Sequence, residues 1–246
     1  MMRITIVCDN NAHDRRLQTQ WGFACVVQLQ DTTILFDTGG DGSILLSNMQ
    51  RLGIEPRQID MVVLSHIHTD HVGGLPAFLA ENHGVIVVVP ASFPRAFKEE
   101  VGSAGAQVKE ISRPEQLTAH IFTTGELGRT VKEQSLVVDT QAGLAIITGC
   151  AHPGVIRVIE EAKRLLDGKV ALVLGGFHLA GKSQRELAEI VERFGELGVS
   201  HVAPCHCSGD AARAAFRQAY RERCLTAGVG SVVHTRDLEM AAPGRP

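Results

Sequence analysis

The sequence predicts a mixed α/β chain, and three observations carry that expectation. Valine- and isoleucine-rich runs of strand length recur from end to end, helix-period stripes alternate with them from Leu144 onward, and 44% of the 246 residues are hydrophobic, enough for a sizeable core. In order, strands are expected at 3–8, 23–29, 33–36, 60–64, 85–89, 107–111, 120–124, 135–138, 144–148, 170–174, 201–203 and 231–234. The spacing of Val155, Ile159, Ala162 and Leu166 predicts one helix, and that of Leu187, Ile190, Val191 and Phe194 a second. Ser183 with Glu186 three residues on forms a capping box at the start of the second, and Gly198 is placed to end it. Upstream of Leu144 the runs read as a hairpin-rich half. Nothing in composition divides the chain, so one domain is expected over 1–240, with 241–246, which holds two Pro and one Gly, as a loose tail.

Charge and cysteine usage narrow the function classes. With 24 basic and 27 acidic residues the formal charge is −3, so no basic surplus advertises nucleic acid or an anionic membrane. The six cysteines are scattered through a chain with a core of its own and read as reduced thiols, which points to the cytoplasm. The opening run reaches Asp9 before any long apolar stretch develops, as a strand does and a secretory signal does not. No window approaches the roughly 20 apolar residues of a membrane span. Histidine is the anomaly: there are 11, as many as Phe, Tyr and Trp together. Histidine is the commonest metal ligand and the usual proton carrier near neutral pH, so its placement bears on the chemistry.

Three histidines fall within six residues, in Ser65-His66-Ile67-His68-Thr69-Asp70-His71, after the apolar Met61-Val62-Val63-Leu64 and before Gly73-Gly74-Leu75. At a strand end, His66 and His68 project to one side, and the turn that follows redirects Asp70 and His71 to a second point. Imidazole and carboxylate suit zinc, iron or manganese. An exposed polar loop is the plain alternative, and four ligand-type residues in six argue against it.

His66-x-His68-x-Asp70-His71 resembles the signature of the metallo-β-lactamase superfamily, and further motifs follow in order. Leu35-Phe36-Asp37-Thr38-Gly39 is similar to its first motif, Thr148-Gly149-Cys150-Ala151-His152-Pro153-Gly154 to its third, and Pro204-Cys205-His206-Cys207-Ser208-Gly209 to its last. The resemblance implies a four-layer αββα sandwich with one or two divalent transition metal ions, zinc first and iron or manganese next. It assigns one ion to His66, His68 and His152 and the other to Asp70, His71 and His206, with Asp37 supporting from behind. Three protein ligands per ion leave positions open, as catalytic sites require.

One departure is informative. The acidic residue that commonly bridges the two ions is absent, because the strand at 170–174 runs into Gly175-Gly176-Phe177-His178-Leu179. With Asp70 as the carboxylate ligand, two ions and a hydroxide leave a formal charge of roughly +2, which favours anionic substrates. The pattern of Asp9-Asn10-Asn11, Trp21-Gly22-Phe23-Ala24, Glu133-Gln134-Ser135-Leu136 and the Gly-Gly-Phe-His run is similar to the branch described as 7,8-dihydropterin-6-methyl-4-(β-D-ribofuranosyl)-aminobenzene-5′-phosphate synthase-like.

Catalytic roles are expected for Asp70, orienting a water, and for His178, at a strand end after two glycines. His13, His83, His120, His201 and His234 read as surface or structural residues. Cys150, Cys205 and Cys207 read as packing thiols, Cys150 being the one to watch near metal, because Cys205-His206-Cys207 lacks the second ligand pair of a structural zinc site. Arg15 and Arg16, balanced by Asp14, read as a solvated loop. The function implied is metal-dependent hydrolysis of a small anionic, phosphorylated substrate, pterin- or nucleotide-like, by a metal-activated water. Lactone or β-lactam hydrolysis at the same site is one alternative, and a non-catalytic metal- or ligand-binding protein on the scaffold is another. RNA cleavage would call for a basic clamp, which the balanced charge does not offer. The oligomeric state is not readable from the sequence.

Overall fold

The computed structural model describes residues 1–239, so the tail expected at 241–246 lies outside the described residues. The first sheet has seven strands: β1 (Arg3–Cys8), β2 (Ala24–Gln28), β3 (Thr33–Phe36), β4 (Met61–Val63), β5 (Ile86–Pro90), β6 (Gln107–Ile111) and β13 (Val232–His234), in the order β13-β1-β2-β3-β4-β5-β6. The second has six: β7 (Glu115–Thr118), β8 (Ile121–Thr123), β9 (Leu136–Thr140), β10 (Gly143–Thr148), β11 (Val170–Gly176) and β12 (His201–Cys205), in the order β12-β11-β10-β9-β8-β7. Helices α1 (Gly42–Arg51), α2 (Thr69–Val72), α3 (Leu75–Glu81) and α4 (Arg95–Ser103) accompany the first sheet, and α5 (Val155–Leu165), α6 (Gln184–Glu196) and α7 (Asp210–Tyr220) the second; α8 (Thr235–Glu239) follows β13.

Alternation along the strands builds the layers. In β3, Ile34 and Phe36 enter the core between the sheets while Leu35 packs outward under helices. In β10, Ala145 and Ile147 face inward while Leu144 and Ile146 face α5 to α7. Successive side chains leave opposite faces, and both faces are covered, which is why these strands read as unbroken apolar runs. One core between the sheets and one under each helix layer give the expected αββα sandwich.

The hairpin-rich first half is corrected in its middle. Strands β1, β2 and β3 are joined antiparallel, and so are β7, β8, β9 and β10, but β3, β4, β5 and β6 are parallel, with helices in the crossovers. Those helices bury small faces, Leu45, Asn48 and Met49 in α1 and Val101 alone in α4, so their stripes are faint in sequence. The exposed edge strand β7, Glu-Gln-Leu-Thr, was likewise not expected. The ends of α6 match expectation. Ser183 Oγ accepts from Glu186 N–H, and the Glu186 carboxylate accepts from Ser183 N–H. At the other end Gly198 takes φ 74°, with Val199 N–H on Phe194 O and Gly198 N–H on Gly195 O, the two bonds of a Schellman stop. No helix among the described residues is long and apolar enough to cross a membrane.

Strands β1, β3 and β4 run in one direction, as do β10, β11 and β12 in the other sheet. Asp9, Asp37 and the His66–His71 segment follow the carboxyl ends of the first three; Cys150 with His152, His178 and His206 follow those of the second three. The two sets meet along one rim of the sandwich, where Gln134 N–H donates to Ser65 O and the rings of His66 and His152 lie 4.6 Å apart.

Candidate metal centre

Two groups of three side chains converge on that rim. Ligand-type atoms of His66, His68 and His152 all lie within 4.8 Å of one another, and so do those of Asp70, His71 and His206. His178 stands beside the first group, its ring 4.5 Å from that of His152. All seven residues singled out from sequence are therefore brought to one place.

The rings are aimed by the nitrogen that faces away from the cluster. His71 Nδ1 lies 2.7 Å from Asp37 Oδ2, His152 Nδ1 2.9 Å from Glu133 Oε2, His206 Nδ1 3.0 Å from Asn10 Oδ1, and His66 Nδ1 2.9 Å from Ser65 Oγ. Such partners fix the tautomer and the direction of a ligating imidazole. Asp37 and Glu133 are themselves pinned. Asp37 accepts from Ser65 N–H and Oγ–H at 2.7 Å each. Glu133 accepts from the backbone N–H groups of Cys150, Ala151 and His152 at 2.8, 2.7 and 2.9 Å. Asp9 takes the N–H of His206 at 3.0 Å.

The loops are held in uncommon backbone conformations. Asp37, Ala151, His178 and His206 all have φ between 48° and 59°, and only one other described non-glycine residue, Arg221, has positive φ. Left-handed conformations at non-glycine residues persist where the surroundings over-determine them, and here the hydrogen bonds above do so at Asp37, Ala151 and His206. Gly149 is required by close approach, since a Cβ there would collide with Ser65 Oγ and meet Asp37 Oδ2 at 2.9 Å.

The donor set fits divalent ions. Asp70 Oδ2 lies 3.6 Å from His71 Nε2 and 3.4 Å from His206 Nε2, and His66 Nε2 is 3.2 Å from His68 Nδ1. Ligands on bonds of about 2.0–2.1 Å in a tetrahedron sit about 3.3 Å apart, so these spacings match. Nε2 of His206 is buried and makes no hydrogen bond within the protein. Burial lowers the pKa of His66 and of His71 to about 3, so both imidazoles are neutral and carry a free lone pair. Burial opposes ionisation of Asp70, but the His206 and His71 contacts outweigh it and hold its carboxyl below the usual range. Glu133 is likewise lowered, to about 2, against burial, chiefly by its bond to His152.

Sequence reasoning missed several contributors. Glu133 entered only as part of a branch pattern, with no role; a lone carboxylate abutting an apolar strand was the available signal. Cys150, the thiol singled out to watch near metal, has its Sγ 3.2 Å from His71 Nε2, and Cys207, read only as a packing thiol, forms another close group with Cys150 and His206. Cys205 does pack between the sheets, pointing away from Cys207 as expected of turn neighbours. His201 is structural, with Nδ1 3.1 Å from Ala171 O, and Arg16 pairs with Asp14 on the surface.

A cavity of about 400 Å³ opens beside His152 and His178 and is lined by Arg129, Thr130 and Arg157 among others. Neither guanidinium lies within 4.0 Å of a carboxylate among the described residues. Arg157 sits in the first turn of α5, where a cation opposes the helix dipole unless an anion joins it. On the other side Trp21 is 63% exposed and its ring tilts over His206 at 5.2 Å.

Sandwich and centre together define the class. The family model of the metallo-β-lactamase superfamily matches residues 22–172, and the chain belongs to that superfamily. Among relatives, it is 28% identical over 278 residues to 7,8-dihydropterin-6-methyl-4-(beta-D-ribofuranosyl)-aminobenzene-5'-phosphate synthase of Methanocaldococcus jannaschii, covering 93% of this chain and 95% of that one. It is 31% identical over 239 residues to an uncharacterized protein of the same organism, covering 84% and 90%. A crystal structure described as that of a metal-dependent hydrolase of the beta-lactamase superfamily superposes with a TM-score of 0.81 at 29% identity, covering 95% of this chain and 99% of the other.

Proposed function

We propose that the chain is a metal-dependent hydrolase acting on a small anionic substrate, with a phosphoester of a pterin- or nucleotide-like molecule as its class. The observation that carries this reading is the pair of three-residue groups, His66, His68 and His152 beside Asp70, His71 and His206, with their outward nitrogens already engaged. When bound, one or two divalent ions, zinc first among the candidates, supply Lewis acidity and lower the pKa of a water towards neutrality. Asp70 would hold an ion and orient a water beside it. His178, exposed at the mouth, is placed to give a proton to the leaving group. Arg129 and Arg157 take the anionic part of the substrate, and Trp21 offers a face for its ring.

The phosphorylated class is supported by the name of the methanogen relative, whose product carries a 5'-phosphate, and hydrolysis by the description of the superposed crystal structure. The relative's name, a synthase, also favours a second reading, bond formation on the same substrate class. The test is metal content after purification without added metal, followed by a panel of phosphomonoesters, phosphodiesters, lactones and nitrocefin. Metal-dependent phosphate-ester turnover that vanishes in His66→Ala is expected, with Arg157→Ala raising KM about tenfold at little cost to kcat. Stoichiometric metal with no hydrolysis anywhere on the panel overturns the hydrolase reading in favour of the second, and activity unchanged in His66→Ala overturns the assigned site.

A further inference from the structure

One polar atom stands among the ring nitrogens with no role assigned to it, the thiol sulfur of Cys150. Its residue is 4% exposed, and Sγ lies 3.2 Å from Nε2 of His71. The same sulfur is within 4.8 Å of a ring nitrogen on His66, on His152, on His178 and on His206. It thus reaches histidines of both three-residue groups. Among the described residues, Cys207 groups only with His206 and Cys150, and His178 only with His152 and Cys150. The backbone holds the sulfur there: Cys150 N–H is bound by Glu133 Oε1 at 2.8 Å, and Ala151, which follows, is fixed at φ 59° by its own bond to the same oxygen.

The end of β11, where a bridging carboxylate is missing, has no space for one. A Cβ on Gly176 would run into Gly149 O and would meet Cys207 Sγ at 2.7 Å. On the far side of the cluster, Nε2 of His206 is buried without a hydrogen bond. We propose that Cys150 is a metal ligand shared between the two groups, taking the bridging place that the superfamily commonly gives to a carboxylate. The proposal rests on the reading of the two groups as metal sites.

On loading, the S–H bond breaks, a sulfur–metal bond forms and the proton passes to solvent; coordinated thiols are deprotonated outright. Two consequences follow. The formal charge of the loaded centre drops from roughly +2 to roughly +1. A thiolate in the donor set also moves the preference towards zinc or iron and away from manganese.

Cobalt(II) loaded into the full chain reports this directly, because thiolate ligation gives an intense near-ultraviolet charge-transfer band that histidine and carboxylate ligation does not. The band is expected in the unaltered protein and in Cys207→Ala, and its loss in Cys150→Ala and Cys150→Ser. Cys150→Asp is expected to lack the band yet to keep the cobalt stoichiometry of the unaltered protein. Cobalt bound without the band in the unaltered protein, or a band that survives in Cys150→Ala or Cys150→Ser, overturns the shared thiolate while leaving the metal sites standing. No cobalt bound at all overturns both. Should the Cys150 variants fail to fold, the band in the unaltered protein and its survival in Cys207→Ala still decide the matter, because loss of the band in Cys207→Ala would move the thiolate to Cys207.

Discussion

The two groups of the candidate centre are built differently. In the group of His66, His68 and His152, His66 is buried, but His68 is exposed at the mouth and His152 half-buried beside the arginine-lined cavity. Asp70, His71 and His206 lie deeper, His71 and His206 both buried, with Asp37 and Asn10 on their outward nitrogens. A ligand already ordered by buried partners loses little freedom when an ion arrives, whereas an exposed one must be ordered by the ion itself. On the proposed reading of both groups as metal sites, the deeper group is expected to hold its ion more tightly, and loss of one of its buried ligands to cost stability. In the outer group His66 and His152 are also anchored, through Ser65 and the buried Glu133, and His68 is the ligand left to be ordered by an ion.

The largest effect that tests this contrast is the loss of one ligand from each group. His71→Ala removes one partner of the buried Asp37 carboxyl, leaving it only Ser65, and opens a cavity under the rim, a cost of roughly 2–4 kcal/mol. His68→Ala removes an exposed ring and is expected to leave stability unchanged. Each variant should lose one ion per chain, read by elemental analysis, while guanidinium melts of the metal-free proteins separate them. Equal destabilisation by the two substitutions would break the comparison.

The same contrast explains what could be read from sequence. His66, His68, Asp70 and His71 are legible because one strand end and one turn place four ligand types within six residues, so local geometry suffices. Glu133 is 67 positions from His66 and becomes a partner of the site only when the second sheet folds over the first, bringing Gln134 N–H onto Ser65 O. Cys150 is beside a readable histidine in sequence, yet the direction of its sulfur is set by that same Glu133. In the fold, the twelve expected strands all correspond to strands because both faces of most are buried. Helix α6 buries only Leu187 and Phe194 but is legible because Ile190 and Val191 complete its stripe and Ser183 with Glu186 caps it, whereas α1, α3, α4 and α7 lack a stripe with such a cap.

A smaller effect sharpens the contrast from behind the ligands. Glu133→Gln keeps an oxygen for backbone N–H groups but loses the charge that orients His152 through Nδ1. Loss of such a partner lowers metal affinity about 10–100-fold. Stepwise zinc titration by calorimetry should show that loss at the weaker step, assigned to the outer group, with the tighter step unmoved. Asp37→Asn should do the reverse through His71. Both steps weakening together in either variant would mean that the two groups act as one unit.

The smallest effect separates the centre from the scaffold beneath it. Ser183 caps α6, which packs Phe194 against Phe177 next to His178, but Ser183 touches no ligand. Loss of an N-cap hydroxyl costs about 1 kcal/mol, about 2–4 °C in Tm for a chain of this size. Ser183→Ala should show that shift. Its partner Glu186 is lowered from 4.5 to about 2, first by Lys182 and then by the Ser183 backbone and hydroxyl. A carboxylate with a depressed folded-state pKa stabilises above its unfolded value and loses that contribution as pH falls through its folded one. The gap between Ser183→Ala and the unaltered protein should therefore narrow as pH falls from about 4.5 to about 2, read by thermal melts of metal-free protein. Neither zinc-binding step should move at neutral pH. A weakened deeper step in Ser183→Ala would tie that group to global stability instead of to Asp37 and Asn10, and the contrast between the two groups would lose its physical basis.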